Sequence, residues 1–312
     1  MRAVRNTVRG IEVVQVARPA AEGIRVRPRS IGICGSDLHL IAHNHSTPTL
    51  GHEFAGVLDD GVPVAVNPRN PCWQCDQCTA GYINRCRDMA LRSRGTGIDG
   101  GMADEIYVPE ASLVRLAPNI PVEDACLIEP LAVAIHGFNR ARLESGMRIA
   151  VVGGGGVGLM AVVAARSVGC DVGLISRYAH QAAAGERLGA RPAAGTYDLV
   201  VEATGSESAT ATAVELARPG ATVLMLGTCH GTIPIPGLPA LGKELQLVWA
   251  LTYGYGDSVG GTEFADAAAL MARTPDIAAI MITHRFSMDE AADAFRVAAD
   301  KRSGAIKVVI NP

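Results

Sequence analysis

The chain has 312 residues, enough for about two domains on a prior of roughly 150 residues each. Glycine is abundant at 35 residues and aromatic residues make up only 4%, which favours an α/β protein with many glycine turns over an aromatic-rich β sandwich. The formal net charge of −3 gives no electrostatic reason to expect a nucleic-acid partner.

The N-terminal part, up to about residue 128, consists of short apolar runs broken by Gly, Pro and Asp. This pattern predicts a domain rich in strands and loops. Its clearest local signal is VLDDGVPVAV at residues 57–66, where Asp60 and Gly61 separate two apolar runs. An Asp-Gly pair in that setting predicts a β-hairpin.

After residue 145 the sequence alternates between strand and helix patterns. The predicted strands are RIAVV (148–152), VGLIS (172–176), DLVVEAT (198–204), ATVLMLG (221–227) and LQLVWAL (245–251). The predicted helices are 158–168, QAAAGERLGA (181–190) and ATATAVELARPG (209–220), the last ending at its glycine. Apolar strands joined by helix-length segments indicate a doubly wound parallel sheet.

The C-terminal tail predicts one more helix at residues 288–304 and a strand at 305–310. Ala291, Phe295 and Ala298 recur at helical spacing, so we expect them in the core.

One apolar segment, IAVVGGGGVGLMAVVAA at residues 149–165, resembles a membrane span by composition alone. It is short, glycine-rich at its centre and bracketed by Arg148 and Arg166, which favours a buried strand, turn and helix. The chain opens MRAVRNTVRG, without an apolar export segment. We therefore expect a cytoplasmic protein without a membrane partner.

The stretch PCWQCDQCTAGYINRC places four cysteines, Cys72, Cys75, Cys78 and Cys86, within sixteen positions. Such spacing suits a tetrahedral zinc site with four thiolate ligands. An iron–sulfur run would need its fourth cysteine closer, and cytosolic thiols do not persist as disulfides. Four thiolates leave no position open for a substrate, so this zinc is expected to be structural.

The segment VVGGGGVG predicts a dinucleotide site. Gly153, Gly155 and Gly158 form a GxGxxG pattern, with Gly156 and Val157 between the last two glycines. The pattern follows a predicted strand and opens a predicted helix, where backbone N–H groups hold a pyrophosphate.

The end of the second predicted strand indicates which dinucleotide is bound. An NAD site normally carries Asp or Glu there for the ribose 2′-hydroxyl, but this strand ends LISRYAH, with Ser176 and Arg177. A hydroxyl and a guanidinium would bind a 2′-phosphate, so NADP is predicted in preference to NAD.

A mixed set of potential metal ligands, a cysteine, a histidine and two glutamates, occurs in three further fragments: GICGSDLH, LGHEFAG and LIEPLAVAIH. Taken singly, each residue has an ordinary structural explanation as a buried thiol, a core histidine or a helix N-terminal carboxylate. Together, a thiolate, an imidazole and a carboxylate leave one coordination position vacant, which is typical of a catalytic zinc. The candidate ligands are Cys34, His52, Glu53 and Glu129.

These motifs together resemble those of the zinc-dependent medium-chain alcohol dehydrogenases, in the branch of the sorbitol, threonine and glucose dehydrogenases. The matching segments are CGSDLH, GHEFAG, the four-cysteine lobe, DGGMADEIYVP, EPLAVAIH, GGGGVG, YDLVVEATG, ITHRF and GAIKVVI. The resemblance implies a GroES-like β-rich catalytic domain at residues 1–128, a Rossmann domain at 129–255, and a return to the catalytic domain at 256–312. It also implies a homodimer or homotetramer.

The resemblance implies roles for single residues. Cys34 and His52 match the catalytic zinc ligands, and either Glu53 or Glu129 supplies the third protein ligand. Ser36 would take the hydroxyl proton, and His39 would pass it to solvent through the cofactor ribose.

Three residues close in sequence to these candidates are given no role in catalysis or metal binding. Cys126, one helical turn before Glu129, is read as core. His43 and His45 lie in a compact loop segment and receive no assignment, because exposed loop histidines are commoner than ligands.

The predicted function is hydride transfer between NADP(H) and a secondary alcohol or ketone of a polyol, sugar or similar small polar molecule, with two zinc ions per chain. Glu129, in place of the cysteine of simple alcohol dehydrogenases, favours the polyol substrates. The alternatives are a threonine-type dehydrogenase or other reductase of the same superfamily, or a non-catalytic NADPH-binding or metal-sensing protein.

Overall fold

The computed structural model describes residues 1–44, 46–229, 231–254 and 262–312. His45 and the expected domain boundary between residues 255 and 256 therefore lie outside the described residues. The chain forms two compact units. The first unit comprises Met1–Glu129 and Ala267–Pro312, and the second comprises Pro130–Asp266.

The strands are β1 (Arg2–Thr7), β2 (Gly10–Gln15), β3 (Ile24–Gly32), β4 (Glu53–Val57), β5 (Pro63–Val66), β6 (Ile106–Val108), β7 (Leu113–Arg115), β8 (Arg148–Val152), β9 (Asp171–Ile175), β10 (Arg191–Pro192), β11 (Tyr197–Glu202), β12 (Ala217–Met225), β13 (Gln246–Trp249), β14 (Ile282–Ser287) and β15 (Lys307–Asn311). The helices are α1 (Gly35–His43), α2 (Asp76–Thr79), α3 (Met89–Arg92), α4 (Ile128–Ala141), α5 (Gly156–Ser167), α6 (Ala179–Arg187), α7 (Glu207–Leu216), α8 (Gly237–Gly242), α9 (Glu263–Arg273), α10 (Ile277–Met281) and α11 (Ala291–Ala299).

The first unit is built on a largely antiparallel sheet with the strand order β14-β15-β3-β4-β5-β7, in which β6 also pairs with β3. Strands β4 and β5 pair antiparallel across the Asp60-Gly61 turn, so the predicted hairpin is confirmed. The C-terminal tail joins this sheet because Val309 and Ile310 of β15 pair with Gly32 and Ile31 of β3. Ala291 and Phe295 on α11 are buried in the core of this unit, and Ala298 packs against that core, as their spacing predicted.

The second unit contains a six-stranded parallel sheet with the order β10-β9-β8-β11-β12-β13. Strand β8 has the predicted bounds, and β9 is shifted by one residue. This arrangement confirms the predicted doubly wound sheet. Its carboxyl edge, where the order reverses between β8 and β11, is the usual place for a dinucleotide.

The end of helix α7 differs from the prediction. The sequence suggested a helix as far as the glycine at 220, but α7 ends at Leu216 and β12 begins at Ala217. Pro219 disfavours helical backbone at Arg218, so the chain is already extended before the glycine is reached. No helix in the described part of the chain is both long and apolar enough to cross a membrane.

Candidate active site

The first candidate ligand, Cys34, lies at the point where β3 leads into α1. Its backbone N–H donates to Oδ2 of Asp37 at 2.9 Å, which fixes the start of the helix. Asp37 is completely buried although it lies in the first turn of α1. In the Cys-Gly-Ser-Asp sequence, the Asp37 carboxylate therefore caps the N-terminus of α1 and fixes the positions of Cys34 and Ser36.

The second candidate ligand, His52, immediately precedes β4. Its Nδ1 lies 3.1 Å from Oδ1 of Asp37, and its Nε2 lies 3.2 Å from Oγ of Ser36. A carboxylate on one imidazole nitrogen fixes the orientation of the ring and leaves the other nitrogen for a metal. Burial acts to lower the pKa of His52, but Asp37 and, to a smaller extent, Cys34 outweigh it and hold this pKa well above its ordinary value.

One donor atom each from Cys34, His52 and Glu53 lies within 4.8 Å of the others. A thiolate, an imidazole and a carboxylate at this separation fit a zinc ion with one coordination position left for a substrate. The chemistry of these donors therefore suits the predicted catalytic metal. Zinc would have to displace a proton from His52, because only the neutral imidazole binds a metal.

Glu53 is also engaged by a lysine from the far end of the chain. Nζ of Lys307 lies 2.8 Å from Oε1 and 2.6 Å from Oε2 of Glu53, and it donates to the carbonyl of Ile33 at 3.3 Å. Burial acts to lower the pKa of Lys307, but the charge of Glu53 raises it above its ordinary value. A Cβ at Gly32 would lie 2.1 Å from Oε2 of Glu53, so the glycine leaves room for this pair.

Glu129 is buried in the first turn of α4 and is not a member of the donor group formed by Cys34, His52 and Glu53. Its contact with the metal stays a prediction. His39 lies one turn after Ser36 on α1, and its ring centroid is 4.1 Å from that of His43. His43 is exposed as expected, but it ends α1 and does not lie in a loop. Cys126 is fully buried, and burial raises the pKa of its thiol to about 12, as expected for a core residue.

The four cysteines of the lobe form a second donor group with the same close spacing. The backbone N–H of Cys72 donates to Sγ of Cys86 at 3.3 Å, and that of Cys75 donates to Sγ of Cys72 at 3.3 Å. The backbone N–H of Arg87 is the largest cause of the lowered pKa of Cys75, about 6. Burial instead raises the pKa of Cys78 to about 12, so it is the close spacing of the four donors that fits a closed, four-thiolate zinc site.

The predicted dinucleotide fingerprint forms the turn between β8 and α5 in the second unit. Gly153 has φ +113°, and a Cβ at Gly158 would lie 1.8 Å from the carbonyl oxygen of Gly153. Gly155 is the N-cap of α5, and Gly156 and Val157 are the first two residues of this helix. The strand–turn–helix context expected of a pyrophosphate site is therefore present.

Ser176 and Arg177 directly follow β9, the strand that normally ends with the ribose-binding acid. A Cβ at Gly154 would lie 2.8 Å from Cβ of Ser176, so the serine faces the glycine-rich turn. The Arg177 guanidinium lies 6.0 Å from the ring centroid of Tyr178.

Sequence reasoning missed three residues that support these sites. Asp37 orients His52, and its position three residues after Cys34 was a usable signal. Glu202 is buried at the end of β11 and accepts hydrogen bonds from the backbone N–H groups of Thr204 and Gly205, which fixes the next turn at the sheet edge. Lys307 gave no local signal, because it lies 254 residues from Glu53.

Comparison with known proteins identifies relatives of this chain. The alcohol dehydrogenase GroES-like domain model matches residues 20–118. D-xylulose reductase A of Aspergillus oryzae is 30% identical over 76% of this chain and 77% of that protein. Sorbitol dehydrogenase of Arabidopsis thaliana is 26% identical over 92% of this chain and 88% of that protein.

Among the solved structures that match the whole chain are two from bacteria. Galactitol-1-phosphate dehydrogenase from Escherichia coli has a TM-score of 0.89 and 28% identity, with 100% of both chains covered. A protein from Sinorhizobium meliloti 1021, described as a zinc-binding dehydrogenase bound to NADP, has a TM-score of 0.88 and 28% identity, covering 100% of this chain and 99% of that one.

A GroES-like domain, a Rossmann sheet and two zinc-type donor groups define a zinc-binding dehydrogenase. The chain belongs to the zinc-dependent medium-chain alcohol dehydrogenase family. The family resemblance and the fold predicted from the motifs are thereby confirmed.

Proposed function

We propose that this protein is a zinc-dependent oxidoreductase that transfers hydride between NADP(H) and a secondary alcohol or ketone of a polyol, sugar or similar small polar molecule. The observation that carries the proposal is the cluster of Cys34, His52 and Glu53 donors beside the Ser36 hydroxyl. Relatives named for sorbitol, D-xylulose and galactitol 1-phosphate support the substrate class.

Cys34 and His52, with Glu53 or Glu129, would hold the catalytic zinc, and the four-cysteine lobe would hold a structural one. When bound, the catalytic zinc would polarise the substrate oxygen and lower the pKa of an alcohol, while the nicotinamide carries the redox chemistry.

The protein's own groups position these reactants and move the proton. Asp37 holds the His52 ring so that Nε2 faces Ser36. The Ser36 hydroxyl takes the substrate proton, and His39, further along α1, would pass it towards solvent through the cofactor ribose. Lys307 balances the charge of Glu53 at the buried end of the site.

NADP is proposed as the cofactor. Gly153, Gly155 and Gly158, with Gly156 and Val157, would hold the pyrophosphate, while Ser176 and Arg177 would bind the 2′-phosphate. The NADP-bound Sinorhizobium meliloti neighbour supports this preference.

We also propose a GroES-like domain formed by residues 1–128 and 256–312 and a Rossmann domain formed by residues 129–255. The proposed assembly is a homodimer or homotetramer. The outermost strand β13 exposes Trp249, 57% accessible, and Leu251 follows it with 59% accessibility, which suits a further strand or subunit. A cytoplasmic location is proposed because thiolate zinc sites require reduced cysteines.

The proposal is tested by a spectrophotometric screen at 340 nm of sorbitol, xylitol and galactitol 1-phosphate, each with NADP and with NAD. We expect turnover of at least one of these alcohols, faster with NADP, and its loss in Cys34→Ser. Cys170→Ser changes a buried cysteine outside both donor groups and should stay active. NADPH binding without turnover of any alcohol would favour the non-catalytic alternative.

A further inference from the structure

The first unit contains a cleft of about 610 Å³ that includes none of the proposed zinc ligands. Its volume falls in the range of small-molecule sites, roughly 300–1,000 Å³. The charged side chains that line it are Arg5, Glu22, Arg94, Asp99 and Glu105. We call it the Arg94 cleft.

Arg94 is the unusual member of this lining. Its Nε is buried and has no hydrogen-bond partner in the described part of the chain. Burial lowers the pKa of Arg94 while the charge of Asp99 raises it, and an arginine stays protonated in proteins even when its pKa falls. A buried cationic donor without a partner is rare in a native structure and calls for an explanation such as a ligand.

Two of the three acids that line the cleft, Asp99 and Glu105, are engaged by other groups. Oδ1 of Asp99 accepts from Nη2 of Arg5 at 3.0 Å and from the backbone N–H of Thr49 at 2.7 Å. Glu105, which also lines the cleft, pairs with Arg18 at 3.1 Å and with Arg25 at 3.7 Å. Arg94 lines the same cleft, and none of these contacts of Asp99 and Glu105 involves its guanidinium.

We propose that the Arg94 cleft binds a small carboxylate that carries hydroxyl groups. The planar guanidinium fork matches a carboxylate in a bidentate pair. The carboxylate of Glu22 also lines the cleft, and it and the remaining lone pairs of Asp99 and Glu105 suit the hydroxyls of such a ligand as acceptors. The same three acids would repel a phosphate dianion more strongly than a single carboxylate.

Isothermal titration calorimetry of the full-length, zinc-loaded protein with D-gluconate tests this inference, with sorbitol and inorganic phosphate as comparison ligands. We expect saturable gluconate binding that Arg94→Gln weakens by roughly tenfold or more, since a charge-assisted bidentate pair is lost. Arg94→Lys keeps the charge but not the fork and should lie between the two. Arg9→Gln removes an exposed arginine outside the cleft and should bind like the unmodified protein.

Cys34→Ser separates the cleft from the active site, because it impairs the proposed catalytic zinc and should leave gluconate binding unchanged. Loss of gluconate binding in Cys34→Ser would overturn the inference by assigning the ligand to the active site. So would equal binding by Arg94→Gln and the unmodified protein, tighter binding of phosphate than of gluconate, or no saturable binding. Thermal unfolding of each variant checks that it is folded, and Arg94→Lys replaces Arg94→Gln if the latter is not.

Discussion

Nζ of Lys307 lies 2.6 Å from Oε2 of Glu53, and the two side chains are only 4% and 1% exposed. The pair joins the first residue of β15 to the first residue of β4, so the C-terminal segment supplies a positive charge to the candidate zinc site. Both carboxylate oxygens of Glu53 accept from the same ammonium group. Glu53 could therefore bind a metal only while sharing its lone pairs with Lys307.

Replacing Lys307 should destabilise the protein more than the loss of one surface ion pair would. Lys307→Met leaves the Glu53 carboxylate buried without its counter-ion, and breaking a buried pair on one side costs about 3–5 kcal/mol. Urea unfolding of the zinc-loaded protein measures the change in the free energy of unfolding. Lys307→Arg keeps the charge and should cost less.

A double-mutant cycle with Glu53→Gln tests whether the effect comes from the pair. The loss of unfolding free energy in the double variant should be smaller than the sum of the two single losses. Glu53→Gln removes the buried charge that Lys307→Met leaves unpaired. Additive losses would show that Lys307 stabilises the fold independently of Glu53.

Asp37 should govern the affinity of the catalytic metal without touching it. Asp37→Asn weakens the partner that orients His52, and loss of such a partner typically lowers metal affinity by about 10–100-fold. Competition with a chromogenic chelator measures this, with the four-cysteine lobe as the internal reference. Asp293→Asn, an exposed aspartate on α11, should leave both affinities unchanged. An unchanged zinc affinity in Asp37→Asn would show that His52 needs no orienting partner.

Arg177 should matter for NADP and not for NAD. Arg177→Ala removes a cation from the proposed 2′-phosphate site, so NADP affinity should fall by roughly tenfold or more while NAD affinity stays the same. Fluorescence titration with NADPH and NADH measures both. Arg187→Ala on α6 is the control, because it removes an exposed arginine from the same unit. Retention of NADP affinity in Arg177→Ala would refute the assignment.

Glu263 gives the second unit a pH-dependent contribution to stability. Its carboxylate lies 2.8 Å from Nδ1 of His136 and accepts from Nδ2 of Asn139 and the backbone N–H of Gly254, each at 2.8 Å. Burial acts to raise the pKa of Glu263, but these partners outweigh it and hold this pKa below the ordinary 4.5.

A carboxyl group with a lowered folded-state pKa stabilises the protein above its ordinary pKa and loses that stabilisation as the pH falls through the folded value. Glu263→Gln should therefore be destabilised by about 1–3 kcal/mol near pH 7 and by less below pH 4.5. Chemical unfolding at several pH values measures this, with Glu207→Gln, an exposed glutamate, as the control. A destabilisation that stays constant with pH would contradict the ionic role of Glu263.

Elements that depend on a short stretch of sequence could be predicted from that stretch. The bounds of β8 follow from one apolar run before a glycine turn, and the cysteine lobe follows from the spacing of four residues. Cys34 and His52 were predicted as ligands because short motifs surround them. The start of β12 was misplaced because a proline ended α7 earlier than the glycine that the pattern suggested.

Contacts between distant segments could not be predicted in this way. Lys307 meets Glu53 only because β15 returns to β3 and β4, and no pattern within either strand encodes that pairing. The ion pair of Asp99 with Arg5 likewise joins residues 94 positions apart, and no local pattern encodes it.

The measurement that tests the central claim most directly is the zinc content of the purified protein and of Cys34→Ser, determined by inductively coupled plasma mass spectrometry. The two donor groups predict two zinc ions per chain in the unmodified protein and one in Cys34→Ser, with turnover lost in the variant. A single zinc in the unmodified protein, or a Cys34→Ser variant that keeps both zinc ions and its activity, would contradict a catalytic zinc held by Cys34 and His52.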